Sequence, residues 1–210
     1  MVLGDLKAWT SHFITIDERL IERIYVLWPR CVALLPHQPD EDAITINLVH
    51  LLSKDPVVRR ICHWVEYQFE PFGTAPSGAK FSKGKIDIAI LLDWERERYV
   101  AYECKRLNIT NGGIRSSLAT RYVTEGMMRF LTEQYAEGLP VGCMLGYVMD
   151  NDIPFAMTQL AHAITAHQPL GLSKGPTKVT PVQGIERFLT THRRAADTMI
   201  ELRHSLLPFR

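Results

Sequence analysis

Apolar residues recur at helical spacing in the first part of the chain. The first stripe consists of Leu20, Ile21, Ile24, Tyr25 and Trp28. It predicts an amphipathic helix over roughly residues 16 to 28. The helix is expected to end at Pro29, because proline interrupts the hydrogen bonds of an α-helix.

Two further helices are predicted before residue 73. Asp40 can cap the first, because its side chain can accept a hydrogen bond from a free N–H of the first turn. Pro56 suits the first turn of the other. The apolar faces of the two helices consist of Ile44, Leu48 and Leu51, and of Val57, Ile61, Trp64 and Val65.

The next pattern is that of strands. The turn-rich segment GTAPSGAKFSKG leads into the apolar run KIDIAILLD, and the alternating run YVAYECK follows a short polar stretch. Residues 85 to 105 are therefore predicted to form two antiparallel strands joined as a hairpin.

Helices and strands alternate in the rest of the chain. A helix is predicted over residues 119 to 136, a buried strand over VGCMLGYVM, and another helix near residues 153 to 166. Glycine and proline make QPLGLSKGPTKVTPVQG a predicted loop. The runs RFLTTHRR and DTMIELRHSLLPF then predict a closing pair of strands.

This order predicts an α/β fold, in which a mixed β-sheet is flanked by helices, with an N-terminal helical segment and a C-terminal β-hairpin. It is not the order of a doubly wound fold. A chain of 210 residues, of which 46% are hydrophobic, suits a single domain over residues 1 to 210. Its core is expected at about residues 40 to 150, with a helical extension at 1 to 39 and a loop and hairpin at 168 to 210.

Composition and charge narrow the setting. The start of the chain has no pattern of an export signal and no apolar run is long enough to cross a bilayer, so a cytoplasmic protein with no membrane partner is expected. Four widely spaced cysteines, without a CxxC pair, indicate reduced thiols rather than disulfides or a zinc site. They are Cys31, Cys62, Cys104 and Cys143.

The formal net charge of +1 excludes a global basic field of the kind that coats DNA non-specifically. Any contact with nucleic acid must be local or shared with a partner. The closing strands are locally basic, which indicates either a DNA-facing edge or an edge strand protected by charge, and we favour the second. The basic positions are His192, Arg193, Arg194, Arg203 and His204.

Candidate chemistry is concentrated in the hairpin. Successive side chains of a strand point to opposite faces, so Glu103 and Lys105 project side by side. Asp87 interrupts an apolar strand, where a carboxylate is costly unless its charge is compensated. If the strands pair as a hairpin, Asp87 approaches Glu103, and two converging carboxylates suit magnesium. Lys105 would stabilise charge on a phosphate or position a water molecule.

These residues resemble the PD-(D/E)XK nuclease superfamily, which has the restriction-endonuclease-like fold. Asp87 is similar to its strand aspartate and Glu103-Cys104-Lys105 to its ExK element, over roughly residues 40 to 150. Lys85 and Ile86 precede Asp87 where the motif has a proline, a position that the superfamily keeps loosely.

The resemblance implies an Mg²⁺-dependent endonuclease, with Mn²⁺ as a substitute, that hydrolyses DNA in a restriction or phage-defence setting. Asp87, Glu103 and Glu41 would be metal ligands, with Lys105 beside them; Glu41 would be a third ligand or an orienting group. Asp40 and Asp42 compete for that role, since acidic residues are common in a first helical turn. Cutting both strands would need two active sites, and a homodimer is the simplest way to provide them.

Basic residues near the hairpin are candidates for contact with nucleic acid. They are Lys80, Lys83, Lys85 and Arg129. An ordinary solvated role remains open for each. Two other functions remain open for the chain: a module on a nuclease fold that binds nucleic acid or a protein without cutting, and an RNA- or DNA-cleaving effector that a protein partner directs or triggers.

Overall fold

The computed structural model describes residues 6 to 195 and 197 to 209, and side chains from residue 9. Seven strands form one mixed sheet in the order β1-β4-β5-β8-β11-β10-β9, and two short hairpins, β2-β3 and β6-β7, lie outside it. The strands are β1 Trp64–Phe69, β2 Phe72–Thr74, β3 Lys80–Ser82, β4 Ile86–Leu91, β5 Tyr99–Leu107, β6 Ile109–Asn111, β7 Ile114–Ser116, β8 Val141–Val148, β9 Leu172–Val182, β10 Ile185–Arg193 and β11 Met199–Pro208.

Helices cover both faces of this sheet. They are α1 Leu6–Ala33, α2 Glu41–Lys54, α3 Ala119–Arg121, α4 Met128–Leu131 and α5 Ile153–Ala166. A π-helical turn, Tyr122–Met127, joins α3 to α4, and two 3₁₀ turns occur at Val58–Arg60 and Gln168–Leu170. The expectation of an α/β fold with a mixed sheet is confirmed. In the described part of the chain, no helix is long and apolar enough to span a membrane.

The predicted hairpin at residues 85 to 105 is confirmed. Strands β4 and β5 pair antiparallel, with Ile88 opposite Tyr102 and Ala89 opposite Ala101. After β5, the helical segment from α3 to α4 crosses over to β8, which runs parallel to β5. The predicted strand at VGCMLGYVM and the predicted helix at 153 to 166 are also confirmed, as β8 and α5.

Strand alternation divides the apolar side chains between two cores. Val100, Tyr102 and Cys104 of β5 face α1 and α2. Tyr99 and Ala101 face the layer formed by α3 to α5. Burial on both faces explains why β5 and β8 read as nearly continuous apolar runs.

The first helix is longer than predicted, and its expected end at Pro29 is wrong. Pro29 lies inside α1, which continues to Ala33. The lost N–H costs one hydrogen bond in the last turn. Just before the proline, the side chain of Trp28 donates a hydrogen bond to the Pro208 carbonyl at 2.6 Å, and beyond it the side chain of Cys31 is fully buried. These tertiary contacts hold the end of the helix against the sheet.

The predicted third helix is also wrong. Asp55 accepts hydrogen bonds from the N–H groups of Val57 and Val58, but only the 3₁₀ turn Val58–Arg60 follows. The rest of the segment becomes β1, in which Val65 lies opposite Ile90 of β4. Short apolar runs are ambiguous in sequence, and pairing with β4 decides this one.

The predicted loop at residues 168 to 184 contains an 11-residue strand, β9. It lies at the edge of the sheet and pairs with β10 alone. An edge strand tolerates proline and glycine because one side of it needs no partner, so the turn-rich composition was misleading.

The closing strands β10 and β11 form the predicted antiparallel pair, but they are not a basic edge. Strand β11 lies inside the sheet, between β8 and β10. Four of the five basic side chains expected at an edge are buried. They are His192, Arg194, Arg203 and His204. Both readings proposed for them from the sequence, a DNA-facing edge and a charged protective edge, are therefore wrong for these four.

Candidate metal and phosphodiester site

The acidic site is built where β4 meets β5. The register that pairs Ile88 with Tyr102 places Asp87 opposite Glu103 when it is continued by one residue. The Cys104 N–H donates a hydrogen bond to Asp87 Oδ2 at 2.7 Å. This bond joins the first of the two carboxylates to the strand that carries the second.

Lys105 joins this pair to helix α2. Its Nζ lies 2.8 Å from Glu103 Oε1 and 2.9 Å from Glu41 Oε1. It also donates to its neighbour's carbonyl, Cys104 O, at 2.8 Å. The structure thus brings together all four residues that the sequence singled out as catalytic: Asp87, Glu103, Lys105 and Glu41.

The start of α2 distinguishes Glu41 from its acidic neighbours. Asp40 caps the helix by accepting a hydrogen bond from the Ala43 N–H at 2.7 Å. Glu41 extends to β5, where its Oε2 accepts from the Arg106 N–H at 2.9 Å. Asp42 also lines the cavity of 280 Å³ that opens over Lys105. Among these three carboxylates, Glu41 is the one held against Lys105.

Burial sets the electrostatics of the two central carboxyls. Burial, together with the charge of Asp87, raises the pKa of Glu103 to about 8, against the opposing effect of Lys105 and Arg129. Burial also raises the pKa of Asp87, which Lys105 counters in part. A site that disfavours its own negative charges gains most when a cation binds.

The pKa of Lys105 is raised as well, which for an ammonium group favours the charged form. Burial lowers the pKa of its ammonium, but Glu103, Glu41 and Asp87 outweigh burial and raise it above its ordinary value. Lys105 therefore stays charged at neutral pH. In this state it can stabilise negative charge or orient a water molecule, but it cannot accept a proton.

The carboxylates fit a divalent cation as a pair. Glu103 Oε1 is fully buried and has no hydrogen bond, since its 2.8 Å contact with Lys105 is an ion pair without hydrogen-bond geometry. Mg²⁺ is typically bound by one or two carboxylates and keeps several waters. No group of three His, Cys, Asp or Glu side chains suited to a metal occurs in the described residues. Asp87 and Glu103 would hold the ion, while Glu41 is held by Lys105 and Arg106.

The helical layer closes over the site at the π-helical turn. At Gly126, an added Cβ would lie 2.7 Å from Met144 Cε and 3.5 Å from Lys105 Cγ. π-Helical turns are rare and often occur at functional sites. Glycine lets this turn approach β5 closely, and the sequence analysis missed it because a lone glycine in a helix has no distinctive local signal.

Arg129 contacts the carboxylate of Glu103 from the same helical layer. Its Nη1 is 3.2 Å from Glu103 Oε1 and donates to Tyr135 Oη at 2.5 Å. Tyr135 in turn donates to the carbonyl of Lys85, two residues before Asp87. The sequence analysis named Arg129 as a candidate for contact with nucleic acid, but it missed Tyr135, which it placed inside the helix predicted over residues 119 to 136, whereas α4 ends at Leu131.

The three candidate lysines do not join the carboxylates. Lys80 donates to Thr74 Oγ1 at 2.6 Å on the β2-β3 hairpin. Lys83 donates to the Glu133 carbonyl at 3.3 Å and forms an ion pair with Glu137. Lys85 lies 3.7 Å from Glu70 and is more than half exposed. These contacts leave their proposed role toward phosphates a prediction.

Comparison with known proteins adds no assignment to this site. No family model, curated protein or solved structure matches the chain. The case for a function rests on the contacts described above.

Proposed function

We propose that this chain is an Mg²⁺-dependent nuclease of the PD-(D/E)XK type, which hydrolyses DNA phosphodiester bonds in a restriction or phage-defence setting. One observation carries the proposal: Glu103 lies against Lys105, across from Asp87, with Glu41 on the other side of the lysine. On this reading, the sheet from β1 to β8 and helix α2 correspond to the restriction-endonuclease-like core.

The residues have distinct roles in this proposal. Asp87 and Glu103 would hold Mg²⁺, for which Mn²⁺ could substitute. When bound, the cation would supply a lowered pKa for a water molecule and positive charge beside the phosphate. Lys105, kept charged by three carboxylates, binds a non-bridging phosphate oxygen or orients the attacking water. Glu41 holds Lys105 in position through its Oε1.

The experiment is a cleavage assay on supercoiled plasmid, linear duplex, single-stranded DNA and RNA, with Mg²⁺, Mn²⁺ or chelator. Asp87→Ala and Lys105→Ala are each expected to reduce cutting by a factor of about 10² to 10³ or more. The matched controls are Glu95→Gln and Lys54→Ala, which change exposed residues outside the site. Cutting that survives both site substitutions would overturn the assignment.

The same assay separates the competing functions. Metal-dependent cutting of RNA in preference to DNA would indicate an RNA-directed effector. Absence of cutting, with intact binding of nucleic acid, would indicate a binding module or an enzyme that a protein partner triggers. Of these two, the net charge of +1 favours the enzyme that a partner triggers, because the partner would supply the affinity for nucleic acid that the charge of this chain does not. Nicking without double-strand breaks would argue against the homodimer.

A further inference from the structure

Arg129 occupies the carboxylate that the proposed function assigns to the metal. Its Nη1 lies 3.2 Å and 3.4 Å from the two oxygens of Glu103. Glu103 is completely buried, and Lys105 contacts the same Oε1. A divalent cation bound to Glu103 would therefore compete with a positive charge that is already there.

The guanidinium is anchored at one nitrogen and open at the others. Nη1 binds Tyr135 Oη at 2.5 Å, and Tyr135 is fixed in turn by the Lys85 carbonyl. Among the described residues, no other nitrogen of Arg129 has a hydrogen-bond partner, and its side chain is 34% exposed. The open side of a guanidinium is a planar set of donors that suits two phosphate oxygens at once.

The net charge of the site changes sign when a divalent cation binds. With all three carboxyls ionised, Asp87, Glu103 and Glu41 carry three negative charges against the two positive charges of Lys105 and Arg129. With a divalent cation added, positive charge exceeds negative by one. The site then attracts a phosphate, and Arg129 is no longer needed to compensate Glu103.

Resting on the proposed function, we propose that Arg129 couples the binding of metal to the binding of substrate: without a divalent cation its guanidinium is held on Glu103, and with the cation bound it binds a phosphate of the nucleic acid. The hydrogen bond to Tyr135 keeps the guanidinium within reach of Glu103 and of the phosphate. By linkage, metal strengthens the binding of phosphate as much as phosphate strengthens the binding of metal. Arg129 is thus a substrate-binding residue that also limits the metal affinity of the free protein.

The test uses the full chain with Arg129→Gln and Arg129→Lys. Binding of Mn²⁺ alone, measured by calorimetry, is expected to strengthen about tenfold in Arg129→Gln, because a competing charge is removed. Arg129→Lys keeps the charge without the planar set of donors and is expected to lie between. The matched control is Arg96→Gln, which breaks the remote ion pair with Glu66 (2.7 Å) and leaves the affinity unchanged.

A second measurement tests whether Arg129 binds a phosphate of the nucleic acid. Fluorescence anisotropy of a labelled duplex, read in chelator and in Ca²⁺, is expected to show tighter binding with Ca²⁺ in the wild type. In Arg129→Gln the gain in affinity on adding Ca²⁺ should be about tenfold smaller than in the wild type, and in Arg129→Lys the reduction should be less than that. If Arg129→Gln does not fold, the Arg129→Lys shifts decide both measurements.

The outcomes separate this inference from the function on which it rests. Tighter Mn²⁺ binding together with a reduced Ca²⁺ effect supports the coupling, whereas either result alone overturns it. Equal Mn²⁺ affinity in wild type and variants overturns the coupling and leaves the metal site standing. No Mn²⁺ binding by any of the proteins overturns both proposals.

Discussion

Two buried carboxylates lie on opposite faces of β5, each against two basic side chains. Tyr102, whose hydroxyl donates to Asp17 Oδ1 at 2.8 Å, faces α1. The next residue, Glu103, faces the π-helical turn instead. Asp17 is bound by Arg187 and Arg203, and Glu103 lies against Lys105 and Arg129.

The two clusters differ in how completely their hydrogen bonds are made. Asp17 Oδ2 accepts from Arg203 Nε at 2.7 Å and from Arg187 Nη2, while its Oδ1 accepts from Tyr102. Glu103 Oε1, equally buried, accepts no hydrogen bond. A buried carboxylate with all its partners is part of the framework, whereas one that lacks a partner leaves room for a ligand. The comparison teaches that hydrogen bonding, rather than burial or charge count, separates the structural cluster from the candidate site.

The largest effect on stability is expected at Asp17. Asp17→Ala leaves Arg187 and Arg203 buried without their shared carboxylate, which costs about 3 to 5 kcal/mol of the free energy of unfolding. Chemical denaturation measures this loss, with the exposed Glu22→Gln on the same helix as the control. A loss no larger than that of the control would remove the distinction between framework and site.

The next largest effect on stability is expected from acid, which protonates the buried side chain of His192. Burial lowers the pKa of His192 from its ordinary value of 6.5 to about 4, although its hydrogen bond to the Leu170 carbonyl raises it in part. Because the folded-state pKa is the lower one, the stability is present above about pH 6.5 and is lost as the pH falls toward 4. The loss amounts to up to about 3 kcal/mol.

Unfolding measured from pH 7 to pH 4 tests this, with His192→Gln as the comparison. The variant should show a weaker dependence on pH, since it has no imidazole to protonate at that position. The same slope in both proteins would contradict the prediction. Buried His204, whose pKa burial holds well below its ordinary value, is expected to keep part of the slope.

A smaller effect is expected from Tyr102→Phe. The substitution removes one hydrogen bond to Asp17 and leaves both arginines in place, so the expected cost is about 1 to 2 kcal/mol. Cleavage and Mn²⁺ affinity should not change, because the hydroxyl points away from Glu103. A variant that keeps its stability but loses Mn²⁺ affinity would show that the two faces of β5 are not independent.

The smallest effect on stability is expected from Glu103→Gln. In chelator at about pH 4.5, its free energy of unfolding should lie within about 1 kcal/mol of the wild type, because the folded protein then holds Glu103 as the neutral acid, which glutamine resembles. Because the folded-state pKa is the higher one, the wild type should lose stability relative to the variant as the pH rises from about 4.5 to about 8, with no further loss above that. Mn²⁺ binding should be lost in the variant at every pH. A loss of stability as large as that of Asp17→Ala would place Glu103 in the framework.

Much of the site's scaffold could be predicted from local patterns. Alternation in YVAYECK placed Glu103 and Lys105 on one face, and the hairpin brought Asp87 across from Glu103; both are confirmed. The predictions failed where a local pattern competes with distant contacts. Pro29 does not end α1, the segment after Asp55 pairs with β4, and proline-rich β9 lies at the edge of the sheet.

The sequence by itself determined which side chains of β5 share a face and that a carboxylate on β4 would meet one of them, because strand periodicity and hairpin pairing are local properties. Only the tertiary structure decided that Glu41, rather than Asp40 or Asp42, is held against Lys105. It also decided that Arg129 lies on Glu103 and that Arg203 is bound to Asp17. Glu41 and Lys105 are 64 positions apart and Asp17 and Arg203 are 186 apart. No periodicity extends over such distances, so only the packing of helices on the sheet makes one carboxylate structural and leaves one oxygen of the other without a hydrogen bond.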